Sequence, residues 1–330
     1  MFGRRFAATV ILLALGAVST SAQSPPPLRL TQKIELPGVQ GRIDHMSVDV
    51  EGRRLFVAAL VNGTIEVVDL GAGKRVQTIR QLAEPQGVLF VKNASRLVVA
   101  NRQDGSVRLF DGASLELRKT APLGADADNV RIDVSTGRIW IGHGDGALTA
   151  IDAAGAKLAS VSLGAHPESF QLERDGSRIF VNLPDARKIA VVDRRQPSVI
   201  ASWTTGNATQ NFPMALDEGH ERLFVVCRAP ARLVVLDSGS GRVVATLPTV
   251  GDSDDVFYDR DARRIYVSGG EGAIVVYLQL DPDRYEEAAR LSTVTGARTS
   301  LFSPALRRLY LAGRREGTQP AAVWVYEAAK

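Results

Sequence analysis

The stretch RLFVA at residues 54–58 is the first of seven near-copies along the 330-residue chain. Each copy opens with an arginine and a short β-forming run, and successive arginines are 42, 42, 40, 44, 42 and 44 residues apart. These arginines are Arg54, Arg96, Arg138, Arg178, Arg222, Arg264 and Arg308. A period of about 42 residues with strand-forming cores is typical of a four-stranded propeller blade. The sequence therefore predicts an all-β, seven-bladed β-propeller with antiparallel blades.

The first repeat shows the expected order of strands. Strand A is predicted at residues 44–49, B at 54–58, C at 64–69 and D at 75–79, separated by turns that carry Gly or Asn. Strand B is apolar on both faces, because residues 55–57 are Leu-Phe-Val without alternation. A strand of this kind must be covered on both sides, as it is when blades stack around an axis.

The two ends of the chain predict how the ring closes. The last repeat stops after strand C at residues 323–327, and its strand D is missing. Residues 28–36 read as a strand that precedes the first repeat. We expect this N-terminal strand to complete the last blade, which would pair two otherwise exposed sheet edges.

A column of acidic residues accompanies the arginines. An aspartate at the end of strand C, followed by small residues, is a natural opener of an Asx turn. The column consists of Asp69, Asp111, Asp152, Asp193 and Asp237, with Glu327 in the last repeat. Because strand C ends beside the start of strand B, we expect six of the seven arginines to face a carboxylate across the B–C ladder. We interpret the arginine column as structural.

The N-terminus has the features of a secretory signal peptide. Two arginines at residues 4–5 precede the apolar residues 6–18, and the small residues 20–22 offer a cleavage site. The apolar stretch is too short for a membrane span, and no later segment is apolar enough for one. We predict a periplasmic or extracellular protein with a signal peptide at residues 1–22, an extended lead-in at 23–27 and a single propeller at 28–330.

Charge and composition exclude some classes of partner. Removing residues 1–22 takes two arginines from the 40 basic residues and none of the 36 acidic ones, which leaves a net charge of +2. This balance, with only 6% aromatic residues, argues against nucleic acid as a partner.

The sole cysteine, Cys227, cannot form an internal disulfide, and we expect it to be buried and inert. We expect a monomer.

Several segments resemble a known family of propellers. Residues 264–270 (RIYVSGG), 63–79 (GTIEVVDLGAGKRVQTI) and 84–90 (EPQGVLF) look like the YVTN-type repeats of the secreted bacterial propellers called YncE-like. The resemblance covers residues 28–330 and lies in strand and turn residues. It implies a seven-bladed propeller outside the cytoplasm, and it assigns no reaction.

One end of the predicted blades departs from the repeat. The A–B turns at the other end are short, charged and repetitive, and we expect no site there. We call the end where strand A begins and strand B ends the irregular face. Strand A is innermost, so polar residues there would surround the entrance of the central channel. The candidate ligand-binding residues on this face are Asp44, His45, Gln86, Asp128, Asn129, Glu168, Asn211, Asp255, Arg102, Arg228 and Arg314.

Three interpretations of this face remain open. The polar groups would satisfy backbone amides and channel water, or they would bind a small molecule or a peptide or protein segment, with the arginines holding an anionic end. In the third interpretation they hold a divalent metal, either calcium or a transition metal. The candidate metal ligands are His45, His143, His166, Asp128 and Glu168, with Asp44, Asp255, Asn129 and Asn211 as further donors.

Familiar enzyme motifs are absent from the sequence. It has no Cys-x-x-Cys-His, His-Glu-x-x-His, Gly-x-Ser-x-Gly or Walker segment. We therefore predict a binding protein that acts through the irregular face. The alternative is a metal-assisted lactonase or lyase that uses the same face.

Overall fold

The predicted propeller is confirmed. The structure, a computed structural model, describes residues 2–3 and 25–330, so the predicted signal peptide lies outside the described residues except at residues 2–3. Residues 28–328 contain 28 strands in seven four-stranded antiparallel sheets. The innermost strand of each sheet contacts the innermost strands of both neighbouring sheets, so the seven sheets form a closed ring. Within the described ranges, no helix is long and apolar enough to cross a membrane.

Blades 1 to 3 follow one another along the chain, each with its innermost strand first. Blade 1 consists of β2 (Met46–Asp49), β3 (Arg54–Ala59), β4 (Thr64–Asp69) and β5 (Lys74–Ile79). Blade 2 consists of β6 (Pro85–Val91), β7 (Arg96–Asn101), β8 (Ser106–Asp111) and β9 (Leu117–Pro122). Blade 3 consists of β10 (Val130–Ile132), β11 (Ile139–His143), β12 (Ala147–Ile151) and β13 (Lys157–Ser162). Two short 3₁₀ helices, at Leu60–Asn62 and Lys92–Ala94, lie in connections of blades 1 and 2.

Blades 4 to 6 repeat the same order. Blade 4 consists of β14 (Phe170–Leu172), β15 (Arg178–Leu183), β16 (Lys188–Asp193) and β17 (Ser198–Trp203). Blade 5 consists of β18 (Thr209–Asp217), β19 (Arg222–Ala229), β20 (Ala231–Asp237) and β21 (Val243–Pro248). Blade 6 consists of β22 (Ser253–Asp259), β23 (Arg264–Gly269), β24 (Ala273–Asp281) and β25 (Arg284–Ser292).

Blade 7 joins the two ends of the chain. Its strands are β26 (Ser300–Ser303), β27 (Arg308–Gly313), β28 (Ala322–Ala328) and, as the outermost, β1 (Leu28–Glu35). β1 runs antiparallel to β28, with Leu28 opposite Ala328 and Glu35 opposite Ala322. The predicted closure by the N-terminal strand is therefore confirmed.

The hydrophobic core lies between adjacent sheets. On β3, Leu55 and Val57 pack with Tyr310 of blade 7, whereas Phe56 packs with Val88 of blade 2. The unbroken apolar run of strand B thus serves two interfaces at once. Complete burial of each such side chain contributes about 1.5–3 kcal/mol, so the stacking of blades is the main source of stability.

The acidic column forms turns more often than it forms ion pairs. Asp69 Oδ1 accepts hydrogen bonds from the amides of Gly71 and Ala72 at 2.7 and 2.9 Å, as an Asx turn requires. The other four aspartates of the column make the same kind of contact. The arginines face this column in the strand register at five positions. Their guanidinium groups pair with it only in Arg96–Asp111 and Arg222–Asp237, within the described part of the chain.

The expected facing of arginine and carboxylate across the B–C ladder is thus confirmed for five of the six pairs, but most of these arginines bind other groups. Arg54 binds Asp49 at the end of its own strand A, with Nη2 2.7 Å from the carboxylate. The same Nη2 also donates to the carbonyl of Gly112, 2.7 Å away in the C–D turn of the next blade. Arg178 and Arg264 make equivalent bonds to carbonyls of the following blades. With Arg222, which donates to the carbonyl of Pro282, four of the seven arginines therefore connect neighbouring blades.

Cys227 lies on β19 with its side chain buried, as expected. Burial raises the pKa of its thiol to about 11. Because the thiolate is the reactive form, this environment makes the cysteine unreactive at neutral pH.

Candidate functional site

A cavity of about 230 Å³ lies on the irregular face. It receives side chains from all seven blades, near the start of each innermost strand and at the end of strand B in blades 2 and 5. The lining residues are Arg42, Gln86, Arg102, Asp126, Asp128, His166, Glu168, Phe212, Arg228, Asp254 and Arg298. Nine of these eleven residues are ionisable.

One group of lining residues forms a guanidinium cluster around a single carboxylate. Arg228 Nη2 and Arg298 Nε lie 2.5 and 3.0 Å from the two oxygens of Asp254, and Arg42 Nη2 lies 3.8 Å from it. Burial would raise the pKa of Asp254, but the three arginines outweigh burial and lower it. The Arg228 guanidinium also lies over the Phe212 ring, 3.6 Å from its centroid. Arg298 also binds Asp252 at 2.7 Å, and Arg42 also binds the buried Asp44 at 2.8 Å, so each guanidinium group of this cluster has a carboxylate within 3 Å.

A second group has carboxylates without such partners. One ligand atom each of Asp128, His166 and Glu168 lies within 4.8 Å of the others, and His166 Nε2 is 3.8 Å from Glu168 Oε1. Burial raises the pKa of Asp128 to about 7, and it also raises the pKa of Glu168, with help from the nearby Asp128 and Asp254. We call these three residues the acidic triad.

His45 lies among three carboxylates next to the cavity. Its ring nitrogens are 3.7 Å from Asp44, 3.9 Å from Asp128 and 3.6 Å from Asp255. Burial alone would lower the pKa of His45, but Asp255, Asp44 and Asp128 together raise it to about 10. Asp44 is fully buried and also lies 2.8 Å from Arg42 Nη2. The three carboxylates therefore favour the protonated form of His45.

Three further candidates lie in or beside the cavity. Gln86 Nε2 donates to Asp126 at 3.3 Å, and Arg102, which is half-exposed, lies 3.0 Å from Glu84 and 3.7 Å from Asp126. Arg314 does not line the cavity. Burial and the nearby Arg298 and Arg42 lower its pKa.

The remaining candidates are used elsewhere in the fold. Asn211 donates to Asn182 Oδ1 and to the carbonyl of Lys188, at 2.8 and 2.9 Å. His143 is buried, with Nε2 3.0 Å from Thr149 Oγ1, and it is not part of the acidic triad. Asn129 is buried beside Asp128 and does not line the cavity.

Five lining residues were not among the candidates from the sequence: Arg42, Asp126, Phe212, Asp254 and Arg298. A signal for them exists in the repeat. Counting ten residues back from each repeat arginine gives one equivalent position per blade. These positions are Asp44, Gln86, Asp128, Glu168, Phe212, Asp254 and Arg298, and all but the first line the cavity.

Comparisons with known proteins place the chain by fold alone. No protein-family model matches it. No curated protein matches it either. Among solved structures it is similar to a chain of the hydrazine synthase of Kuenenia stuttgartiensis, with a TM-score of 0.71 and 16% identity over 83% of this chain and 94% of that one. At this identity the likeness extends to the propeller architecture and not to activity. The chain is thus a seven-bladed β-propeller with a charged cavity at one mouth of its ring.

Proposed function

We propose that the protein is an exported propeller of the YVTN-repeat type that binds a small molecule, or a short segment of a partner, in the mouth cavity. Export is supported by the two arginines at residues 4–5 and the apolar residues 6–18. Binding is supported by a single observation. The cavity concentrates charged side chains from all seven blades and contains both the guanidinium cluster and the acidic triad.

The side chains that line the cavity indicate the chemistry of the expected ligand. Arg42, Arg228 and Arg298 together have more N–H donors than their carboxylate partners Asp44, Asp252 and Asp254 can accept, so they would hold a carboxylate or another anionic group. Asp128 and Glu168 would accept from a hydroxyl or a cationic group. A volume of about 230 Å³ lies below the range of 300–1,000 Å³ for drug-sized ligands. The expected ligand is therefore small and polar, with an anionic group and a hydroxyl or amine.

A ligand screen tests this proposal directly. Amino acids, hydroxy acids, dicarboxylates and short peptides would be scanned by thermal shift, and the hits would be measured by calorimetry. We expect binding that Arg228→Gln and Arg102→Gln weaken by about tenfold or more, which corresponds to the loss of one charged hydrogen bond. Arg195→Gln is the matched control, because Arg195 is exposed and lies on the opposite face.

Two outcomes would contradict the proposal: no member of the panel binds, or the hits bind equally well to Arg228→Gln, Arg102→Gln and the control. The alternative of a metal-assisted lactonase or lyase needs a metal on this face and stays a prediction.

A further inference from the structure

We infer that the acidic triad of Asp128, His166 and Glu168 is a binding site for a divalent transition metal ion such as Zn²⁺. This inference goes beyond the proposed function, because metal binding here needs neither the small polar ligand nor the guanidinium cluster.

The geometry of the triad is close to that of a three-ligand site. His166 and Glu168 are two residues apart before β14 of blade 4, and Asp128 precedes β10 of the adjacent blade 3. Atoms bound to one zinc at about 2.0–2.2 Å lie roughly 3.4 Å from one another in a tetrahedral site. The three ligand atoms already lie within 4.8 Å, and the His166–Glu168 pair is at 3.8 Å. Shifts of about 1 Å in the ligand atoms would therefore bring them to the spacing of a zinc site.

The buried carboxylate of the triad has an oxygen without a partner. Asp128 is only 6% exposed, and its Oδ1 has no hydrogen-bond partner among residues 25–330. The nearest cation to this oxygen is His45, whose Nε2 is 3.9 Å away, beyond hydrogen-bond distance. The guanidinium groups of Arg42, Arg228 and Arg298 are directed to other carboxylates. Since a buried carboxylate without a partner is costly, a divalent cation would stabilise this arrangement.

The donor set selects the class of metal. One imidazole nitrogen with two carboxylates suits zinc or a similar first-row ion, and it leaves a coordination position open toward the cavity. Calcium prefers six to eight oxygen ligands, which three side chains with one nitrogen do not supply. His166 is thus the residue that distinguishes a transition metal from calcium.

Calorimetry with Zn²⁺ alone tests the inference on chelator-treated full-length protein that carries no His tag. We expect one ion per chain, and Co²⁺ in its place should give the absorption bands of a low-coordinate site. His166→Gln and Glu168→Gln should each weaken Zn²⁺ binding by roughly 100-fold or more. His220→Gln is the matched control, because His220 pairs with Asp217 on the opposite face.

Folding and the proposed function can be separated from metal binding. Glu168→Gln replaces a half-buried carboxylate, whose partner His166 is 3.8 Å away, with a neutral isostere, so its metal-free melting temperature should change little. Arg228→Gln should keep Zn²⁺ binding while it loses the small ligand. The inference is overturned if no transition metal binds stoichiometrically, if both triad variants bind Zn²⁺ as the control does, or if Ca²⁺ binds more tightly than Zn²⁺.

Discussion

The repeat arginine acts between blades. Arg178 binds Glu173 of its own blade through Nε at 2.9 Å, and its Nη1 donates to the carbonyl of Ser238 in blade 5 at 2.6 Å. The planar guanidinium makes both contacts at once because its donors are fixed in a fork. One residue type therefore orients its own A–B turn and also anchors the C–D turn of the next blade. Contacts to the next blade account for four of the seven arginines, Arg54, Arg178, Arg222 and Arg264, without any function in binding.

Replacing Arg178 by lysine tests this role. Lysine keeps the charge but has a single ammonium group, so it cannot bind Glu173 and reach Ser238 in the same geometry. We expect Arg178→Lys to lower the free energy of unfolding by about 1–3 kcal/mol, measured by urea denaturation. Arg138→Lys is the control, because the Arg138 side chain has no ion pair or hydrogen bond among residues 25–330. Equal stability of the two variants would refute the role of Arg178 between blades.

At the scale of elements, β1 is the strand that closes the ring. It pairs with β28 along its whole length, and only Leu28 and Ile34 of its eight residues are buried. Ile34 packs in the cluster that also contains Leu55 and Tyr310, so it joins blade 7 to blade 1. One side chain at the start of the fold thus supports the contact between the first and the last blade.

We expect Ile34→Ala to lower the free energy of unfolding by about 2–5 kcal/mol, since it removes buried methyl groups and leaves a cavity at this contact. The adjacent Glu35→Ala should change it by less than about 0.5 kcal/mol, because Glu35 is exposed. Urea denaturation of both variants measures the difference. A loss at Ile34 no larger than that at Glu35 would mean that β1 does not stabilise the closure.

The strands were predictable because their signals are local and repeated seven times. The apolar runs of strand B and the closure by β1 follow from periodicity and from the missing last strand. The candidate site was predictable only as a face of the propeller. Side-chain direction decides that Asn211 turns to Asn182 whereas the next residue, Phe212, enters the cavity. Contacts between blades, such as Arg178 to Ser238, depend on distant segments and leave no local signal.

At the scale of the whole molecule, seven similar blades present different side chains at the mouth of the central channel. Ten residues before each repeat arginine, blades 3 and 4 place Asp128 and Glu168, whereas blade 7 places Arg298 at the same position. Six of the seven side chains at this position line the mouth cavity, and none of the seven belongs to a hydrophobic cluster between blades. The fold can therefore vary the charge of its mouth without any loss of core.

The absorbance of the tyrosines can report the unfolding of blades 6 and 7. All six lie in blades 6 and 7, on strands β22 to β25, β27 and β28. Burial raises the pKa of Tyr277 and Tyr326 to about 12, and it raises the pKa of the other four as well. We therefore expect the four buried tyrosines, Tyr266, Tyr277, Tyr310 and Tyr326, to ionise when these two blades open.

Because these phenols ionise less readily in the folded protein, blades 6 and 7 should lose stability at alkaline pH. The phenol is uncharged when protonated, and its folded pKa lies above the ordinary value of 10. The contribution of these protonated tyrosines to the stability of the folded protein is therefore complete below pH 10, and it is lost as the pH rises from there through about 12. We expect phenolate absorbance to rise together with the loss of sheet circular dichroism. Ile34→Ala should shift both transitions to lower pH, while Glu35→Ala leaves them in place. Phenolate absorbance that rises near pH 10 with the sheet signal intact would show instead that solvent reaches these tyrosines in the closed ring.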